Sequence, residues 1–140
     1  MENMLRRAVP TAALLLWTGF ILLLVVPWGG FQDHTHWGKV GWIPFVSRPV
    51  KLTDIIANVL LYVPFGIGVR RVLGTRTVWG GLVLAAMLSV GTETTQLFSH
   101  RRFPSATDVA SNLLGTLGGL YLARARAEGI ATALPQENPS

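Results

Sequence analysis

Glu93, Gln96, His100, Arg101, Arg102, Asp108 and Asn112 all fall within one stretch, VGTETTQLFSHRRFPSATDVASN (90–112), with long apolar runs on either side. Carboxylates accept hydrogen bonds or take protons, guanidiniums grip phosphates and carboxylates with paired donors, and amides orient both. Between apolar segments such groups are costly to desolvate, so they are kept where a ligand, a proton or a neighbouring helix uses them. An enzymatic reading makes Glu93 or Asp108 a general base and lets an arginine stabilise developing negative charge. No nucleophile-plus-base pair, metal cluster or phosphate loop is recognisable in the sequence, so no catalytic residue is assigned. Asp33, His34 and His36 in QDHTH are ligand types without a second cluster at metal spacing, and neither a metal nor a cofactor is expected. With no cysteine in the chain, disulfides, thiolate ligands and a thiol nucleophile are excluded.

The elements that must position these groups are apolar. Half of the 140 residues are hydrophobic and 14% are charged, with a mean hydropathy of +0.44. Such a balance suits a protein solvated largely by lipid. The net charge of +5 is spread over short segments between apolar runs, with no nucleic-acid motif, so it points to an anionic membrane surface and not to nucleic acid. Four runs are expected to form transmembrane helices, at about 8–28, 53–69, 78–98 and 107–123, in one membrane domain covering residues 1–140 with a flexible tail over 124–140. The expected fold is an all-α integral membrane protein, a four-transmembrane-helix bundle. The first run follows Arg6 and Arg7 but leads into VVPWGG with no small-x-small cleavage site, so it reads as an uncleaved span and not as a signal peptide. Thr53 or Asp54 is placed to cap the second helix. Residues 29–52 form a tryptophan-bearing loop suited to the headgroup level.

Arg6, Arg7, Arg70, Arg71, Arg76, Arg124 and Arg126 fall on one side of this arrangement, and Lys39, Arg48, Lys51, Arg101 and Arg102 on the other. The bias puts both termini in the cytoplasm and the 29–52 and 99–106 loops outside. TDIIANVLL (53–61) and TDVASNLLG (107–115) begin alike, each with Asp and Asn four residues apart and therefore on one helix face. Helices two and four then run the same way, giving two parallel helical hairpins. Ser89, Glu93, Gln96 and His100 make a polar stripe on the third helix, which must turn inward, because lipid cannot satisfy it. The expected ligand-binding set is Asp54, Asn58, Glu93, Gln96, Arg101, Arg102, Asp108 and Asn112, converging in the outer half of the bundle. A purely structural alternative pairs Glu93 with Arg101 or Arg102 and uses the amides to bridge helices. Gly81 and Ala85, and Gly115 and Gly119, have small-xxx-small spacing for close helix contact, within the chain or in a homo- or hetero-oligomer.

The order of Asn58, Tyr62, Pro64, Phe65, Gly66, then Glu93, Gln96, Arg102, Asp108, Asn112 and Gly115 resembles the VanZ-like family of small bacterial polytopic membrane proteins, over roughly residues 43–122. The resemblance implies a multi-pass protein of the bacterial cytoplasmic (inner) membrane and, through the member that names the family, a link to resistance to the glycopeptide teicoplanin. The expected function is binding of a membrane lipid or lipid-linked cell-envelope precursor in the outer crevice. The alternatives are a membrane-embedded enzyme on a lipid-linked substrate and a helix-packing assembly partner.

Overall fold

A single Trp17 indole sets the first interhelical contact: its Nε1–H donates to the Leu61 carbonyl at 2.9 Å and pins α1 (Glu2–Val25) alongside α2 (Leu52–Leu73). α3 (Val78–Gln96) and α4 (Ala106–Ala133) complete the set, and a single 3-10 turn, Trp37–Lys39, lies in the first loop. The computed structural model describes residues 2–31, 35, 37–46, 51–74, 78–99 and 103–133, among which there is no strand.

The boundaries follow local chemistry. α1 stops at Val25 and not at Trp28, because Pro27 has no N–H to continue the ladder. α2 begins one residue earlier than expected, with Lys51 at the N-cap and no side-chain cap, so Asp54 lies inside the first turn and does not cap. There it still meets the positive end of the helix dipole. The expected tail is helical for a further ten residues, 124–133, beyond the expected end at Ala123. Its RARAE sequence is rich in strong helix formers, and Arg124 pairs with Glu128 one turn on at 2.7 Å.

α2 and α4 form the central pair and run parallel, as the twin TD-x3-N starts suggest. Their backbones touch where glycines remove the side chain: a Cβ built at Gly115 would fall on the Val59 carbonyl, one at Gly119 on the Val63 carbonyl, and one at Gly66 on the Thr116 carbonyl. The small-residue face of α4 is thus covered by α2 within the same chain. Gly81 of α3 packs on the Leu120 side chain of α4, and Gly68 of α2 on Leu14 of α1. Each outer helix therefore lies antiparallel to its hairpin mate, α1 on α2 and α3 on α4. The core between them holds Ile21, Tyr62, Phe65, Val69, Ala85 and Leu120.

Outside that core the surface is apolar on all four helices. Leu16 on α1, Leu60 on α2, Met87 on α3 and Tyr121 on α4 are each more than 60% exposed. A surface of this kind is a liability in water and points to lipid as solvent. Among the described residues, only α1, over Ala8–Val25, and α2 are long and apolar enough to count as membrane-crossing by length and composition. The four-span expectation is therefore met in helix number but not in hydropathy. The reason is polar lining: α3 carries Ser89, Thr92, Glu93 and Gln96, and α4 carries Thr107, Ser111, Asn112 and Thr116, all of them buried inside the bundle.

Candidate functional site

Pro104 ends any possibility of one helix running from α3 into α4, and Ser105 restarts the chain. The Ser105 hydroxyl accepts from the Thr107 N–H at 3.2 Å, which makes it the cap of α4. Its own N–H donates to Glu93 Oε2 at 2.7 Å, while Gln96 Nε2 donates to Glu93 Oε1 at 3.3 Å. Glu93 and Gln96, one turn apart on α3, are both buried. A buried carboxylate demands such donors, since each unmade bond to a charged group costs about 1.5–3 kcal/mol.

The first loop straps this end of the bundle. Gly41 N–H donates to the Pro104 carbonyl at 2.9 Å and Ala106 N–H to the Gly41 carbonyl at 2.8 Å, forming a parallel bridge between Gly41 and Ser105. A second bridge joins Phe31 to Ser99, and Phe45 N–H donates to Thr107 Oγ1 at 2.9 Å. Phe45 takes a φ of 62°, a left-handed conformation uncommon for a large side chain. Trp37 and Trp42 stack with rings 6.3 Å apart, and the Lys39 ammonium sits 4.7 Å from the centre of the Phe103 ring.

Two cavities lie at this end of the bundle. One, of about 290 Å³, is lined by Asp54, Ala57 and Asn58 of α2, Gln96 of α3, Phe103, and Asp108 of α4. The other, of about 310 Å³, is apolar and lies between Trp37, Trp42, Val90, Leu97, Val109 and the Glu93 side chain. The Glu93–Gln96 pair stands between them, with Gln96 on the polar side and Glu93 on the apolar side. Both parallel helices start at the polar cavity, so Asp54 and Asp108 meet the positive ends of two dipoles.

Of the residues expected to bind ligand, Asp54, Asn58, Gln96 and Asp108 are brought together around one cavity. Glu93 backs it from the apolar slot. Asn112 is buried one layer deeper, where its Nδ2 donates to Ser89 Oγ on α3 at 2.8 Å, so it bridges helices and does not line the cavity. Nearby, the Tyr62 hydroxyl faces Ser89 and Thr92 but is outside hydrogen-bonding geometry with any described residue. Arg101 and Arg102, like His100 and the QDHTH residues Asp33, His34 and His36, lie outside the described residues. Ser105 and the Gly41 strap were missed by sequence reasoning. SATD (105–108), a Ser followed three residues later by an acid, carried the signal for Ser105.

No curated protein and no solved structure matches the chain. The VanZ/LLP1 family profile matches residues 11–127, a span that runs from the third turn of α1 to past the middle of α4. It takes in both hairpins, the strap and every residue around the two cavities, and the chain therefore belongs to the VanZ/LLP1 family.

Proposed function

We propose that the strapped end of the bundle binds an amphipathic envelope molecule, a membrane lipid or a lipid-linked cell-envelope precursor, in a four-span protein of the cytoplasmic membrane with both termini inside. The observation that carries this reading is the convergence of Asp54, Asn58, Gln96 and Asp108 on a cavity of about 290 Å³ beside an apolar slot of similar size. The first volume matches a headgroup rather than a whole lipid. Carboxylates and amides from three helices favour a headgroup with hydroxyl, amide or ammonium donors, and Arg101 and Arg102, next to Phe103 in sequence, are assigned the phosphate. The apolar slot, walled on one side by Trp37 and Trp42 and on the other by Val90, Leu97 and Val109, takes the start of the apolar chain.

Catalysis by Glu93 is the weaker reading, because both of its carboxylate oxygens already accept hydrogen bonds, from Ser105 and Gln96. An assembly role through Gly115 and Gly119 is weaker too, since α2 covers both. A link to teicoplanin resistance rests on family membership alone.

Native mass spectrometry of the purified protein tests the binding reading, with phosphatidylethanolamine and a polyprenyl phosphate as probes. Asp54→Asn combined with Asp108→Asn, and separately Arg102→Ala, should each reduce retention of at least one probe. Retention equal to wild type in both variants would remove the site. Cysteines introduced at positions 101 and 71 should label from the outside and the inside respectively, and the reverse pattern would invert the proposed orientation.

A further inference from the structure

A third cavity lies at the other end of the same helix pair. From Asn58 to Arg70 is twelve residues of α2, about 18 Å along the axis. There α2 and α4 enclose about 700 Å³, lined among others by Ile67, Arg70, Arg71, Leu122 and Arg126. Arg71 and Arg126 are exposed, as arginines at a membrane boundary ordinarily are. Arg70 is not: it is only 8% exposed, and its Nε donates to no acceptor among the described residues. Glu128, the described carboxylate nearest on α4, is held by Arg124 at 2.7 Å and does not line the cavity. An arginine placed only to orient a helix in the membrane has no reason to be buried, because burying a guanidinium without a counter-charge is strongly unfavourable. Three converging guanidiniums, one of them buried with a free donor, instead describe a receptor for an anion with several acceptor oxygens. The fork geometry of arginine suits a phosphate group, and the Ile67 and Leu122 side chains alongside it suit the glycerol or acyl portion that a phospholipid adds.

We infer that this cavity binds a phosphate group, with the headgroup of an anionic phospholipid as its source. The inference is independent of the ligand proposed for the strapped end and stands if that reading fails. The full-length protein, purified in detergent, is offered phosphatidylglycerol or phosphatidylcholine and examined by native mass spectrometry, and its thermal unfolding is followed with and without inorganic phosphate at matched ionic strength. Wild type should retain phosphatidylglycerol over phosphatidylcholine. Removing two charges in Arg71→Ala/Arg126→Ala should weaken that retention by about thirtyfold. Arg70→Gln should abolish the preference and Arg70→Lys should restore part of it. Stabilisation of wild type, but not of the double variant, by inorganic phosphate without any lipid preference would keep the phosphate site and make its source soluble. Equal retention of phosphatidylglycerol by wild type and the double variant, or no response to either lipid or phosphate, overturns the inference. The exposed positions of the double variant decide the matter where Arg70→Gln fails to fold.

Discussion

Glu93 is where stability and site geometry are coupled most directly, and its replacement tests both. Glu93→Ala removes the acceptor for the Ser105 N–H at 2.7 Å and for Gln96 Nε2 at 3.3 Å. The bond from the Ser105 N–H to a charged acceptor is worth about 1.5–3 kcal/mol, and leaving that N–H unpaired at a partly buried cap puts the loss toward the upper end. The one missing methylene adds about 0.8 kcal/mol more of lost burial. The expected destabilisation is therefore about 3–4 kcal/mol. Glu93→Gln keeps the volume and an oxygen for Ser105, and the Gln96 amide can rotate to present its own oxygen to the new NH₂. It also relieves the desolvation of a buried carboxylate, so its expected cost is about 1 kcal/mol or less. At this chain length about 3–5 °C of unfolding temperature accompanies each kcal/mol, which separates the two variants by about 10 °C in a detergent melt. Because Ser105 is bridged to Gly41, Glu93→Ala should also make the first loop an early target of limited proteolysis, whereas Glu93→Gln should not. If both variants melt with wild type, or Glu93→Gln is as damaging as Glu93→Ala, the Ser105–Glu93 bond does not hold the strap and the argument fails.

The glycine contacts make an opposed pair of outcomes: Gly119→Ala must push α2 and α4 apart at the Val63 carbonyl and should cost about 1–3 kcal/mol. Gly91→Ala, with nothing within 4 Å of the new methyl, should gain about 0.5–1 kcal/mol, and melts of equal sign for the two would refute the close parallel packing. A double-mutant cycle on Ser89→Ala and Asn112→Ala should return a coupling of about 0.6 kcal/mol, as interhelical side-chain bonds in membrane bundles do; additive losses would mean that the 2.8 Å contact contributes nothing. Thr107→Val keeps the shape but removes the acceptor for Phe45 N–H, and should cost about 1 kcal/mol while increasing tryptophan quenching by a soluble quencher in the first loop. No change in quenching would leave that bond without a role in closing the strap.

The polar stripe and the parallel helix pair were legible in the sequence because each depends on local periodicity. Ser89, Glu93 and Gln96 recur at four and three residues, and in an apolar setting a stripe of that spacing can face only the bundle interior. Gly115 and Gly119, one turn apart, announced the approach that Val59 and Val63 complete from α2. The strap was not legible, because it pairs Gly41 with Ser105 through backbone atoms across 64 positions of sequence, and backbone pairing leaves no side-chain signature. The continuation of α4 past Ala123 was less legible, because the polar composition of the tail and the helix propensity of RARAE point opposite ways.

The twin TD-x3-N starts show how one motif acquires two roles. Asn58 and Asn112 stand at equivalent positions of parallel helices, and the sequence treats them alike. What differs is the neighbour supplied by each hairpin. α3 offers Ser89 to Asn112, and the amide is buried in a helix-bridging bond at 2.8 Å. α1, which packs on α2 through Leu14 and Trp17, has over Ala8–Val25 no polar side chain other than Thr11, Trp17 and Thr18; Trp17 spends its N–H on the Leu61 carbonyl and Thr18 its hydroxyl on the Leu14 carbonyl. Asn58 is left on the cavity wall with Asp54, Gln96 and Asp108. The hairpin that holds its asparagine supplies rigidity, and the hairpin that leaves its asparagine on the wall supplies the opening. If the cavity is the headgroup site proposed above, exchanging the two environments, by placing a serine on α1 within reach of Asn58 and replacing Ser89 with alanine, should lower retention of the lipid probes in native mass spectrometry while the detergent melt still shows a folded protein; retention equal to wild type would refute the division of roles.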